Sequence, residues 1–220
     1  MKFKYISLLT AAVISVSAVV ASASTVDVTY QESGNPFGTP SWQKTVKIAS
    51  PDYNGRVRAG MFRLSGNNGF GNFNSFCIDL GHSLSAGTSY TASGTSPFSA
   101  AVTDNIERLY NSAYASVSTA RESAAFQLAI WEIITDTGNT LDLASGDFKV
   151  LRTGVNLLAK ANGYLAGLAG ASTGGYEFTY LQSRVGQDQI TVSPVPVPAG
   201  IGLLGLGLAG LFGLRRRKKS

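Results

Sequence analysis

The stretch Thr119-Ala120-Arg121-Glu122-Ser123-Ala124-Ala125-Phe126-Gln127-Leu128-Ala129-Ile130-Trp131-Glu132-Ile133-Ile134 decides the reading of the body. Thr119 with Glu122 three residues later has the form of a capping box, and the run from Ala124 to Ile134 is apolar on nearly every side. A helix of that kind has to be buried all round, so layers must exist on both sides of it. Upstream, Asp104 with Glu107 forms a second possible capping box. Ile106, Leu109 and Tyr110 supply an apolar face for a helix from about Thr103 to Tyr114. Downstream a third helix is expected from about Asp147 to Leu168, frayed near Asn162-Gly163.

Outside this helical block the period changes to two. Val26-Asp27-Val28-Thr29-Tyr30, Thr45-Val46-Lys47-Ile48 and Arg56 to Leu64 alternate as half-buried strands do. So do Tyr176 to Leu181 and Gln189-Ile190-Thr191-Val192. Strands, then helices, then strands again predict an α+β fold, an antiparallel β sandwich or barrel with a helical insertion at about residues 103–169. Strands before Thr103 and after Thr173 must then share one sheet system. Ser65-Gly66-Asn67-Asn68-Gly69-Phe70-Gly71-Asn72 is rich in residues that tolerate positive φ. It lacks the Lys-Ser/Thr ending of a phosphate loop, so it reads as a surface hairpin loop.

A chain of 220 residues suits one medium domain with targeting segments. There are 18 basic and 13 acidic side chains, for a net +5, but Lys2, Lys4, Arg215, Arg216, Arg217, Lys218 and Lys219 lie at the extreme ends. Without these seven the body is slightly acidic, which removes the support for a nucleic-acid-binding surface. One Cys and one His exclude an internal disulfide framework and a Cys/His zinc site. The acidic residues are too scattered for an EF-hand loop, no dinucleotide or phosphate fingerprint is present, and no cofactor or metal is expected.

The ends read as addresses. Residues 1–23 open with Lys2 and Lys4, continue through the apolar run Ile6 to Val20 and exit in Ala21-Ser22-Ala23, the pattern of a secretory signal peptide with Ser24 as first mature residue. At the other end, Pro194-Val195-Pro196-Val197-Pro198 precedes the uncharged run 199–214 and then the basic cluster 215–219. Sixteen helical residues reach roughly 24 Å against a hydrocarbon core of about 30 Å, so this run spans a membrane with local thinning and keeps its basic end cytoplasmic. A permanent anchor is the plain alternative. The order of features over residues 194–220 resembles the PEP-CTERM sorting signals, in particular their Val-Pro-Leu-Pro-Ala variant, with Val195-Pro196-Val197-Pro198-Ala199 as the motif. That resemblance implies processing by an exosortase after transient inner-membrane anchoring, and delivery to the cell surface or extracellular matrix. No Leu-Pro-x-Thr-Gly motif occurs.

Two polar groups in the body stand in apolar surroundings. Gln127 lies on the buried helix, and Cys77 lies in Asn74-Ser75-Phe76-Cys77-Ile78-Asp79-Leu80. A buried amide needs partners, and a secreted unpaired thiol is shielded, reactive or partnered outside the chain. Phe76-Cys77-Ile78-Asp79 and Gln127-Leu128-Ala129-Ile130-Trp131 together resemble the bacterial thioester domains of surface adhesins, with Phe126 where that family carries Thr. The resemblance, over roughly residues 40–190 of a body at 24–193, implies that Cys77 attacks the Gln127 side chain, expels ammonia and leaves an internal thioester. An amine or hydroxyl on a target surface then attacks it and is trapped. Such a protein is consumed once and is not a turnover enzyme. Trp131 reads as core, Asp79 as a turn residue and Glu132 as a solvated helix-face carboxylate. The rivals are a Cys/His hydrolase using Cys77 and His82, whose odd spacing sets them on opposite faces of a strand, and a structural matrix protein without the bond.

Overall fold

A computed structural model describes residues 23–138 and 140–196. Among these residues nine strands and three α-helices follow in order: β1 (Ser24–Tyr30), β2 (Gln43–Ala49), β3 (Asn54–Gly60), β4 (Phe62–Gly66), β5 (Gly71–Cys77), β6 (Thr88–Ser93), α1 (Ala100–Ala113), α2 (Ala120–Thr135), β7 (Lys149–Arg152), α3 (Val155–Ala166), β8 (Tyr176–Gln182) and β9 (Gln189–Pro194). Six of the strands close into an antiparallel barrel in the order β1-β4-β5-β9-β8-β6. The remaining three form a separate sheet, β3-β2-β7.

The fold is therefore the expected α+β type, and strands on both sides of the helical block share the barrel. On one flank of β8, Ala92 of β6 stands opposite Leu181. At the other join, Phe76 and Cys77 of β5 stand opposite Ile190 and Gln189 of β9. The hairpin between β4 and β5 turns where expected, with Asn68 and Gly69 at φ 53° and 88°.

The segment 56–64 is two strands, not one. β3 belongs to the small sheet and β4 to the barrel, and the chain changes sheets at Gly60 and Met61. Gly60 has φ 154°, and a Cβ there would lie 2.1 Å from the Trp42 carbonyl oxygen. The Met61 N–H donates to Ser123 Oγ at 2.6 Å and to the Trp42 carbonyl at 3.2 Å, while the Ser123 hydroxyl donates to the same carbonyl at 2.7 Å. A serine on α2 thus ties down the crossing between the sheets.

α2 begins at the expected Thr119 cap, although Glu122 reaches one residue further back than a capping box does. The Thr119 hydroxyl oxygen accepts from the Glu122 N–H, and the Glu122 carboxylate accepts from the Ser118 N–H. Every residue from Ser123 to Ile133 is buried, because α2 packs against β2 and β3 on one side and α1 and α3 on the other, and also reaches β5. Burying each large side chain in this run stabilises by about 1.5–3 kcal/mol, which fixes α2 as the axis of the molecule.

Two helix boundaries differ from expectation. α1 starts at Ala100, not near Thr103: Ser99 is the cap, its hydroxyl oxygen accepting from the Val102 N–H, while Asp104 makes an ion pair with Arg108 at 2.6 Å. An acidic residue one turn inside a helix finds its i+4 partner more readily than a cap. The region 147–168 is not one helix. Lys149–Arg152 extends to pair with β2, and α3 begins only after Gly154. α3 runs unbroken through Asn162 and Gly163, both exposed, since Ala161, Tyr164 and Leu165 hold the opposite face in the core. Among the described residues no helix is long and apolar enough to cross a membrane. The expected signal peptide, apart from Ala23, and the expected span at 199–214 lie outside the described residues.

Candidate functional site

Cys77 is the last residue of β5 and is 1 % exposed. Its thiol donates to the Asp79 carbonyl at 2.7 Å and its sulfur accepts from the Asp79 N–H at 3.3 Å. Burial pushes the thiol up to about 12. The Asp79 backbone and the Trp131 indole beside the sulfur offset part of that, and the Asp79 and Asp188 carboxylates add to it. At neutral pH the sulfur carries its proton, and a Cys77 thiolate is a poor leaving group unless it is protonated as it departs. The indole N–H of Trp131 is buried without a hydrogen-bond partner of good geometry.

The structure brings Cys77 and Gln127 together through the backbone of Cys77. Gln127 Oε1 accepts from the Cys77 N–H at 2.9 Å, and Gln127 Nε2 donates to the Cys77 carbonyl at 2.8 Å. β4 pairs with β5 only as far as Ser75 opposite Phe62, so beyond it one flank of β5 has no strand neighbour. The Gln127 amide takes that place, offering one donor and one acceptor as a peptide unit would. This explains why an amide tolerates zero exposure on the most buried of the described helices.

A second buried amide, passed over in the sequence, faces the cysteine from the other flank. Gln189 is fully buried at the start of β9 and directly opposite Cys77 in the β5–β9 register. Opposed residues of an antiparallel pair put their side chains on the same face, with Cβ atoms about 4.5–5.5 Å apart. Gln189 Oε1 accepts from Ser75 Oγ at 3.0 Å, and Ser75, two residues before Cys77, is on the same face of β5. Its Nε2 donates to the carbonyl and to Oε1 of Gln187, both at 3.2 Å. A polar residue opening an alternating strand was the available signal. The register that sets it beside Cys77 could not be read from one sequence.

The other named residues fall as follows. Trp131 is core, 2 % exposed. Asp79 is a turn residue whose Oδ1 accepts from the Gly81 N–H, and its Oδ2 lies 2.7 Å from His82 Nδ1. His82 makes no hydrogen bond to Cys77; its ring is half exposed beyond the strand end. Glu132 is not solvated. It is fully buried, Oε1 accepting from the Asp142 N–H at 2.5 Å and Oε2 without a partner. Burial, with Asp136 and Asp142 nearby, raises its carboxyl to about 7 although the Asp142 N–H pulls the other way. Its place on α2 faces the 136–148 loop rather than solvent, which periodicity alone did not reveal. Among the described residues no group of three or more His, Cys, Asp or Glu side chains is placed to hold a metal.

Residues 194–218 match the PEP-CTERM protein-sorting motif. No curated protein matches the chain. Among solved structures, the N-terminal domain of the Streptococcus pyogenes pilus tip adhesin Cpa is similar at 13 % identity and a TM-score of 0.46, over 78 % of this chain and 93 % of that one. The N-terminal thioester domain of a surface protein from Clostridium perfringens is similar at 11 % identity and a TM-score of 0.43, over 78 % of this chain and all of that one. The chain thus carries a PEP-CTERM protein-sorting motif at residues 194–218 behind a body of α+β fold.

Proposed function

We propose that this is a secreted bacterial surface or matrix protein whose body, residues 24–193, forms an internal Cys-Gln thioester for covalent attachment to a target. The sorting motif supports passage through the inner membrane and processing by an exosortase. The observation that carries the bond is the cross-strand placement of a buried unpaired thiol, Cys77, opposite a buried amide, Gln189. Sulfur attacks the Gln189 γ-carbonyl carbon, the C–S bond forms, the C–N bond breaks, and nitrogen leaves as ammonia with the thiol proton. Gln127, whose amide is occupied at both ends by the Cys77 backbone, holds the nucleophile in place. Burial excludes water and slows hydrolysis of the bond.

A second assignment, with Gln127 as the acyl partner, is favoured by the 2.9 Å contact of its Oε1 with the Cys77 N–H. Intact mass of the mature body tests the bond: one ammonia below the sequence mass is expected, with Cys77 resistant to alkylation in the native state. Methylamine then restores a labelable Cys77 and leaves a methylamide, and peptide mapping reads whether it sits on Gln189 or Gln127. A full sequence mass with freely alkylated Cys77 leaves the structural matrix protein instead.

A further inference from the structure

A cavity of about 400 Å³ shares Trp131 and Gln187 with the surroundings of the buried Cys77–Gln189 pair, neither of which lines it, and its wall chemistry limits what can enter. Tyr30, Phe37, Tyr53, Arg58, His82 and Trp131 line it. Two contacts connect it to the buried pair. Trp131 stands against the Cys77 sulfur. Gln187, also in the wall, accepts from Gln189 Nε2 and donates its own Nε2 to the His82 carbonyl at 3.1 Å. The volume falls within the range of small-molecule sites, about 300–1,000 Å³.

The chemistry of the wall is selective. Aromatic faces suit the apolar sides of a sugar ring. The Arg58 guanidinium lies 5.0 Å over the Phe37 ring, and among the described residues no carboxylate is paired with it. No carboxylate lines the cavity, and Asp79, next in sequence to its wall residue Leu80, is engaged with His82. A cation without a counter-charge disfavours an ammonium group and favours an anionic one. The Asp79 carboxylate against His82 Nδ1 selects the tautomer with its proton there, which leaves Nε2 as the free acceptor. A base so held is what a hydroxyl nucleophile requires.

Resting on the thioester reading, we propose that this cavity receives an acidic saccharide, that Arg58 binds its carboxylate, and that His82 is the general base for transfer to a sugar hydroxyl. His82 Nε2 takes the hydroxyl proton as the oxygen attacks the acyl carbon on Gln189. The C–O bond forms, the C–S bond breaks, and the sulfur leaves with the proton returned from the imidazolium. An ester on the side chain at position 189 and a free Cys77 thiol result.

The test uses the mature protein with trigalacturonate, maltotriose and methylamine as probes, read by intact mass and peptide mapping. Trigalacturonate should add as a hydroxylamine-labile ester at position 189, and His82→Gln should lower its rate relative to methylamine by about a hundredfold. Arg58→Gln should remove the preference for trigalacturonate over maltotriose, roughly tenfold for one charge-assisted hydrogen bond. Cys77→Ala, which has no bond to react, should still bind trigalacturonate in a calorimetric titration, and Arg58→Gln should weaken that binding. An ammonia deficit with methylamine uptake but no ester and no trigalacturonate binding would overturn this proposal alone. Absence of the deficit would overturn the thioester and the transfer step together, and the titration would then decide the saccharide site by itself.

Discussion

Gln127 and Glu132 sit five residues apart on one buried helix, and their polar groups meet opposite fates. The Gln127 amide has a donor and an acceptor waiting for it in the Cys77 backbone; Gln127→Ala leaves both orphaned in the core. At about 1–3 kcal/mol per unsatisfied group, the variant should lose roughly 2–6 kcal/mol, read as a lower urea midpoint. Glu132 has one satisfied oxygen and one bare one. Its carboxyl is raised from an ordinary 4.5 to about 7, so the folded state binds the proton more tightly than the unfolded chain does. Stability should therefore be highest below about pH 4.5 as far as this group is concerned, fall between 4.5 and 7, and level off above. Glu132→Gln should flatten that slope and be the more stable protein at pH 8, by no more than about 3 kcal/mol. Denaturant midpoints across pH for both proteins check it, and an unchanged slope would remove Glu132 as its source.

The elements show what a sequence can and cannot disclose. α2 was legible because its cap and its apolar run agree, and Thr119→Ala should cost about 1 kcal/mol in thermal or chemical unfolding. β7 was not legible: Lys149–Arg152 is four residues long and its half-buried and exposed pattern suits a helix turn equally well. Only the pairing with β2 makes it a strand. The division of 56–64 into two strands depends on one glycine, whose close approach to the Trp42 carbonyl is a tertiary fact. Gly60→Ala should misplace Met61 and the start of β4, costing more than the roughly 1 kcal/mol of an ordinary glycine substitution. Circular dichroism in the near ultraviolet, where Trp42 reports, should change along with the unfolding midpoint.

At the scale of the molecule, strands flanking a helical block were enough to infer one shared sheet system, because a half-apolar strand on either side has to find partners. The cysteine was legible as a candidate site for a similar reason, being a lone thiol in an apolar strand. Its amide neighbours were only half legible: Gln127 announces itself by its burial on a helix, whereas Gln189 depends on which residue of β9 stands opposite Cys77. The sorting reading predicts that protein recovered from the native host lacks the segment from about Ala199 onward. Mass spectrometry of its C-terminal peptide checks this, and an intact 215–219 tail would mean a retained anchor.

β9 is the last strand of the barrel, and Gln189 is its first residue, with Pro194 its last. A cargo joined at Gln189 would hang within one strand's length of the end of the body that leads to the sorting motif. Tension between cargo and cell would then run along β9 alone, leaving the helices and the small sheet out of the line of force. Cutting the thioester would leave the β5–β9 seam its backbone pairing but no covalent link, so the act of attachment would uncouple the part that bears tension from the part that recognises the target.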